Sequence, residues 1–83
     1  MVTLNDIKEI IGSVLQLGAR ADQFDRSTQL LGSVPEFDSM AVVSVITAIE
    51  DSFGIVVDDD EVSADIFETV GNLFDFVAGK VDG

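Results

Sequence analysis

Asp38-Ser39-Met40-Ala41-Val42-Val43-Ser44-Val45-Ile46-Thr47-Ala48-Ile49-Glu50-Asp51-Ser52-Phe53-Gly54 is the stretch whose reading decides the fold. At about 100° per residue, Val42, Val45, Ile46, Ile49 and Phe53 share one face, and Met40, Ser44, Thr47 and Asp51 share the other. The β-branched residues lower helix propensity slightly. They do not alternate with polar residues, however, and the length of the run favours a helix over a strand. Asp38 is a good N-cap, and Gly54 stands where a C′ glycine ends a helix. The predicted helix therefore runs from Ser39 to about Phe53, and Phe37, just before the cap, is placed to staple onto Val42.

The start of this helix carries two residues that can cap where one suffices. If Asp38 caps, Ser39 falls at the first helical position with its hydroxyl turned outward. A phosphodiester there would sit at a helix N-terminus, where the dipole and unpaired N–H groups favour negative charge. An ordinary Asp-Ser helix start is the commoner meaning of the dipeptide alone. Met40 adds to the first reading, because it lies opposite the core stripe. A large apolar residue facing solvent beside an attachment hydroxyl fits a partner hot spot, and methionine adapts to several surfaces.

Working outward, Thr3 can cap a first helix with Asp6 at the capping-box distance. Leu4, Ile7, Ile11, Val14 and Leu15 form its apolar stripe, with Asn5, Glu9, Gly12, Ser13 and Gln16 opposite. Gly18 is the expected stop, giving a helix over about 3–17. Residues 19–37 hold no sustained period, and they contain the only proline, Pro35. They read as a long connection pinned to the core by Leu30, Leu31, Val34 and Phe37. Beyond Gly54, Asp58-Asp59-Asp60-Glu61 suits the N-terminus of a short helix ending near Asp65, with Ile66 and Phe67 anchoring it. Thr69 then caps a last helix with Val70, Leu73, Phe74 and Val77 on one stripe; Phe76 lies off it. The expected fold is all-α over a single domain, residues 1–83. It comprises three longer helices and one short one, with a long loop between the first and second.

The chain has 83 residues, 47% of them hydrophobic, which supports one thin core rather than disorder. Cysteine and histidine are both absent. Disulfides, thiolate metal sites and the commonest general base are thereby excluded, and a self-contained enzyme is disfavoured. Sixteen acids against four bases leave a net charge of −12. Nucleic acid and anionic membrane surfaces lack the cations they need. Eleven acids and no base lie between Arg26 and Lys80, a field that attracts basic partner surfaces. The opening Met1-Val2-Thr3-Leu4 has neither a basic nor a long apolar stretch. A cytoplasmic monomer is expected, with no stable membrane insertion.

Over nearly its whole length the sequence resembles acyl carrier proteins. Asp38-Ser39-Met40 resembles their Asp-Ser-Leu attachment motif, and Met40 to Gly54, ending Ile49-Glu50-Asp51-Ser52-Phe53-Gly54, is similar to their second helix. Thr69-Val70-Gly71-Asn72-Leu73 resembles the start of their last helix, and Leu30-Leu31 the leucine-bearing part of their long loop. The resemblance implies that a phosphopantetheinyl transferase, using coenzyme A and a magnesium ion, places 4′-phosphopantetheine on Ser39. The arm's thiol then bears an acyl group for acyl-activating ligases or synthases and acyltransferases. It further implies that Asp38 assists the transferase or its metal, and that Met40 and Val43 form the apolar part of a docking surface. Glu36, Glu50, Asp51 and Glu61 would be its charged surroundings. No catalytic residue and no resident metal are implied.

The sequence departs from that pattern in two respects, one of them an Asp58-to-Thr69 segment that looks longer than in carriers of fatty-acid synthesis. The solvent side of the second helix is typically acidic in carriers of fatty-acid synthesis, whereas Ala41, Ser44, Thr47 and Ala48 take those places here. Pro35 to Val43 and Asp58 to Ser63 look like the small carriers associated with bacterial exosortase systems. An aminoacyl or peptidyl carrier and an unmodified acidic interaction domain are the competing readings. A calcium loop is not, because consecutive acids lack the alternating ligand spacing such a loop needs.

Overall fold

The computed structural model describes residues 2–30 and 37–82, Asp59 by its backbone only. Three α-helices carry the architecture: α1 (Leu4–Val14), α2 (Ser39–Phe53) and α3 (Val70–Asp82). The short helix between α2 and α3 takes the form of two 3₁₀ segments, Asp59–Glu61 and Ala64–Phe67. A further 3₁₀ segment, Gly18–Gln23, opens the long connection. Among the described residues the only β pairing is an isolated bridge between Gln29 and Thr69.

α1 begins as its sequence dictates. The Thr3 hydroxyl accepts from the Asp6 N–H, and the Asp6 carboxylate accepts from the Thr3 N–H. Its end differs from expectation: the helix stops at Val14, not near residue 17. Gln16, at φ 57°, takes the left-handed position that Gly18 was expected to fill. The Leu17 N–H then donates to the Gly12 carbonyl and the Gln16 N–H to the Ser13 carbonyl, the bonding of a Schellman turn. The turn drops Leu17 into the core, where it is buried. Gly12, expected on the solvent side, is half-buried, and a side chain there would meet Ala21 of the first 3₁₀ segment.

α1 packs against both α2 and α3. Ile7, Ile11, Val45, Ile49, Val70, Leu73 and Val77 supply most of the interior, joined by Leu30, Phe37 and Phe67 from the connections. Fully burying each such side chain contributes about 1.5–3 kcal/mol, and this interior holds the three helices together. Phe74 and Phe76 are half-buried against it.

The long connection is stitched to the start of α3. The Val70 N–H donates to the Thr28 carbonyl, the Leu30 N–H to the Glu68 carbonyl, and the Gly71 N–H to the Arg26 carbonyl at 3.0 Å. Gly71 is required at this crossing, because a Cβ there would lie 2.8 Å from the Arg26 carbonyl oxygen. The Arg26 guanidinium completes the latch, donating to both Asp75 carboxylate oxygens at 3.0 Å and lying 5.4 Å from the centre of the Phe74 ring. Asp25 organises the turn before it, accepting from the Ser27 N–H and from the hydroxyls of Ser27 and Thr28. Those hydrogen bonds, from Ser27 first, hold its carboxyl below the usual carboxylate range. Leu31 and Val34, expected to pin the same connection, lie outside the described residues.

Candidate functional site

Ser39 is fixed by what flanks it. On one side Phe37 is buried, its ring 5.6 Å from that of Phe67. On the other, Val45 and Ile49 anchor α2 in the core. Between them Asp38, in extended conformation, accepts the Ala41 N–H on Oδ1 at 2.9 Å, and its carbonyl accepts the Val42 N–H. Asp38 is therefore the cap, and Ser39 is the first residue of the helix. Ser39 is exposed, and its hydroxyl makes no hydrogen bond among the described residues. At the far end Gly54, in the left-handed region at φ 64°, closes α2 with its N–H on the Glu50 carbonyl.

The residues at this helix start suit a covalently attached phosphate ester. The hydroxyl is accessible and is not used to terminate the backbone. The N–H groups of Ser39 and Met40 have no acceptor among the described residues, and an anion beside them sits at the positive end of the helix dipole.

The expected docking residues divide into two sets. Met40 and Val43 stand out from α2 at 74% and 60% exposure. Asp38 and Asp51 are exposed as well. Glu50 and Glu61, by contrast, are half-buried and engaged within the protein. One Glu50 oxygen accepts the Val57 N–H at 2.8 Å, which ties the chain leaving α2 back onto the helix. Glu61 accepts the Asp58 N–H and pairs with Lys80 of α3. The Lys80 hydrogen bond, followed by that from Asp58, holds the Glu61 carboxyl below its usual range. Local sequence pattern did not expose these two roles, because Glu50 depends on the chain beyond α2 and Glu61 on Lys80 of α3. Glu36 lies outside the described residues. Ala41, expected on the solvent side, is buried, and Ala48 is half-buried. Both sit about a quarter-turn from Met40 toward the core stripe.

An open groove of about 280 Å³ lies elsewhere, between α1 and the end of α2, lined by Asp6, Glu9, Ile10, Ser52 and Phe53. Ser52 is about 20 Å from Ser39 along the axis at the usual helical rise, so the groove does not adjoin the exposed hydroxyl. No helix among the described residues is long and apolar enough to cross a membrane.

Two comparisons bear on this arrangement. A family described as the phosphopantetheine attachment site matches residues 5–77. The chain is also similar to the solution NMR structure of a holo acyl carrier protein from Nitrosomonas europaea, at 51% identity and a TM-score of 0.92 with 100% of each chain covered. A carrier needs an accessible attachment point on a rigid body and no catalytic machinery of its own, and the chain belongs to the acyl carrier proteins of the phosphopantetheine-attachment family, carriers of 4′-phosphopantetheine rather than catalysts.

Proposed function

We propose that Ser39 is the residue that carries the phosphopantetheine arm. The observation that supports this is the division of labour at the start of α2: Asp38 terminates the backbone, and the neighbouring Ser39 hydroxyl is exposed and makes no hydrogen bond among the described residues. A phosphopantetheinyl transferase, with coenzyme A and magnesium, joins the Ser39 oxygen to phosphorus and releases the nucleotide half of coenzyme A. The arm, when attached, supplies a thiol that holds an acyl group as a thioester. The chain's own part is to present that group at high effective concentration to enzymes that dock beside it.

The second carboxylate oxygen of Asp38, which accepts no hydrogen bond among the described residues, serves the transferase or its metal. Met40 and Val43 form the apolar part of the docking surface, and Asp51 is the nearest exposed acid on the same face. The partners are acyl-activating ligases or synthases and acyltransferases. The weakly charged second helix and the acidic stretch at 58–61 favour a specialised bacterial carrier, of the kind that serves exosortase systems, over a housekeeping carrier of fatty-acid synthesis. We place it in the cytoplasm as a monomer.

The test is intact mass after incubation with coenzyme A, magnesium and a broad-specificity phosphopantetheinyl transferase. Wild type should gain one phosphopantetheine and Ser39→Ala none. Loading of the Ser39→Ala chain would move the arm to another hydroxyl. Loading the holo chain with acyl-activating and with aminoacyl-activating ligases then separates an acyl carrier from an aminoacyl carrier, the reading that the weakly acidic α2 also favours.

A further inference from the structure

We infer that partner enzymes grip this carrier through an uncharged, apolar contact on α2, with cations excluded from the centre of the partner's docking site and confined to its rim. The inference rests on the reading of Ser39 as the attachment point and goes beyond it by specifying the partner's chemistry.

From Ser39 to Ile49, α2 contains no ionisable side chain other than hydroxyls. This is notable in a chain of net charge −12. Past the exposed Asp38 cap, the side chains that α2 exposes in the turns after Ser39 are Met40, Val43, Ser44 and Thr47, which fall within about one-third of the helix circumference at 100° per residue. Thr47 is less polar than its type implies, because its hydroxyl donates to the Val43 carbonyl of its own helix at 3.0 Å. Asp51 is the first acid on this line, about 16 Å along the axis from Met40 at the usual rise. Glu50 is turned to the Val57 N–H.

A partner that placed Lys or Arg against the middle of this face would desolvate those cations opposite methyl and thioether groups, where α2 itself offers no carboxylate between Ser39 and Ile49. That arrangement is costly. A pocket for Met40 and Val43 is complementary to the same face, and its cations belong at the rim, facing Asp38 at one end and Asp51 at the other.

The experiment is the steady-state rate of Ser39 loading by a broad-specificity phosphopantetheinyl transferase, read by intact mass. It compares wild type, Met40→Ser, Thr47→Glu and Asp51→Asn at low and high NaCl. All three positions are exposed, and melting curves confirm that each variant folds. Met40→Ser should raise KM about tenfold, a size set by the loss of a buried methionine contact. Thr47→Glu should raise it several-fold, and Asp51→Asn less than about twofold. Wild-type KM should change less than about threefold as the Debye length shortens from roughly 14 to roughly 4 Å. The inference is overturned if Thr47→Glu lowers KM, or if Asp51→Asn and salt raise it as much as Met40→Ser does. Should Met40→Ser fail to fold, Thr47→Glu decides the matter alone. A chain that gains no mass on Ser39 under any condition would instead remove the attachment reading itself, and this inference with it.

Discussion

Replacing Asp38 and Ser39 separately by alanine should separate stability from modification. Asp38→Ala removes the carboxylate that accepts the Ala41 N–H at 2.9 Å. Loss of an N-cap of this kind costs about 0.5–2 kcal/mol, typically about 1. In a domain of this size each kcal/mol lowers the melting temperature by roughly 4–8 °C. Ser39→Ala removes an exposed hydroxyl that makes no hydrogen bond among the described residues, at a position where alanine is the better helix former by at most about 0.5 kcal/mol. Its melting temperature should stay within about 3 °C of wild type by the same scaling, or rise slightly. Thermal unfolding followed by circular dichroism, paired with intact mass after transferase treatment, reads both properties on the same samples. The expected pattern is a stable chain that cannot be loaded for Ser39→Ala, and a destabilised chain that retains its attachment hydroxyl for Asp38→Ala. If Ser39→Ala melted as low as Asp38→Ala, Ser39 would be part of the cap, and the claim that its hydroxyl is free would fail.

Two further predictions concern the scaffold. Gly71→Ala places a Cβ 2.8 Å from the Arg26 carbonyl oxygen and 3.1 Å from the Arg26 Cβ. The overpacking cost of about 1–3 kcal/mol exceeds the helix-propensity gain of at most about 1; the melting temperature should fall, and a rise would show that the loop yields freely. Glu61 has its folded-state titration depressed below the ordinary value of 4.5 by Lys80 and the Asp58 N–H, so its contribution is present above that value and is lost as pH falls through the lower folded one. Lys80→Met should therefore lower the neutral-pH melting temperature and flatten its decline below pH about 4.5; an unchanged acid slope would mean that the pair does not couple to folding.

α2 was readable from sequence to the residue, because its ends are set by local chemistry: a carboxylate before the first turn and a glycine that tolerates φ 64° after the last. The capping box of α1 was readable for the same reason. Its C-terminus was not, because Gln16 accepts a left-handed conformation to bury Leu17, and that gain is tertiary. The four consecutive acids at 58–61 read as a helix start, yet the backbone there makes 3₁₀ bonds, with Glu61 donating its N–H to the Asp58 carbonyl and its carboxylate held by Lys80, nineteen residues away. At the candidate site, the exposure of Met40 followed from periodicity, whereas Val43 was placed on the docking surface only by the family resemblance. The internal engagement of Glu50 and Glu61 did not follow from periodicity, because their partners, Val57 and Lys80, lie outside the helical repeat that it describes.

Net charge and contact chemistry are separable in this carrier. The acids lie on α1, on α3, in the connections and beyond the third turn of α2, so that past the Asp38 cap they shape the field at a distance while the exposed face of α2 from Met40 to Thr47 carries no charge. A long-range field acts on the rate of encounter, and a desolvated apolar contact acts on the lifetime of the complex. Salt should therefore slow the approach of a basic-rimmed enzyme without shortening its stay, and substitution of Met40 should shorten the stay without slowing the approach. A carrier that must meet several enzymes in turn gains from that separation, because its partners can be drawn by one shared charge while each is retained according to how well it accommodates Met40 and Val43.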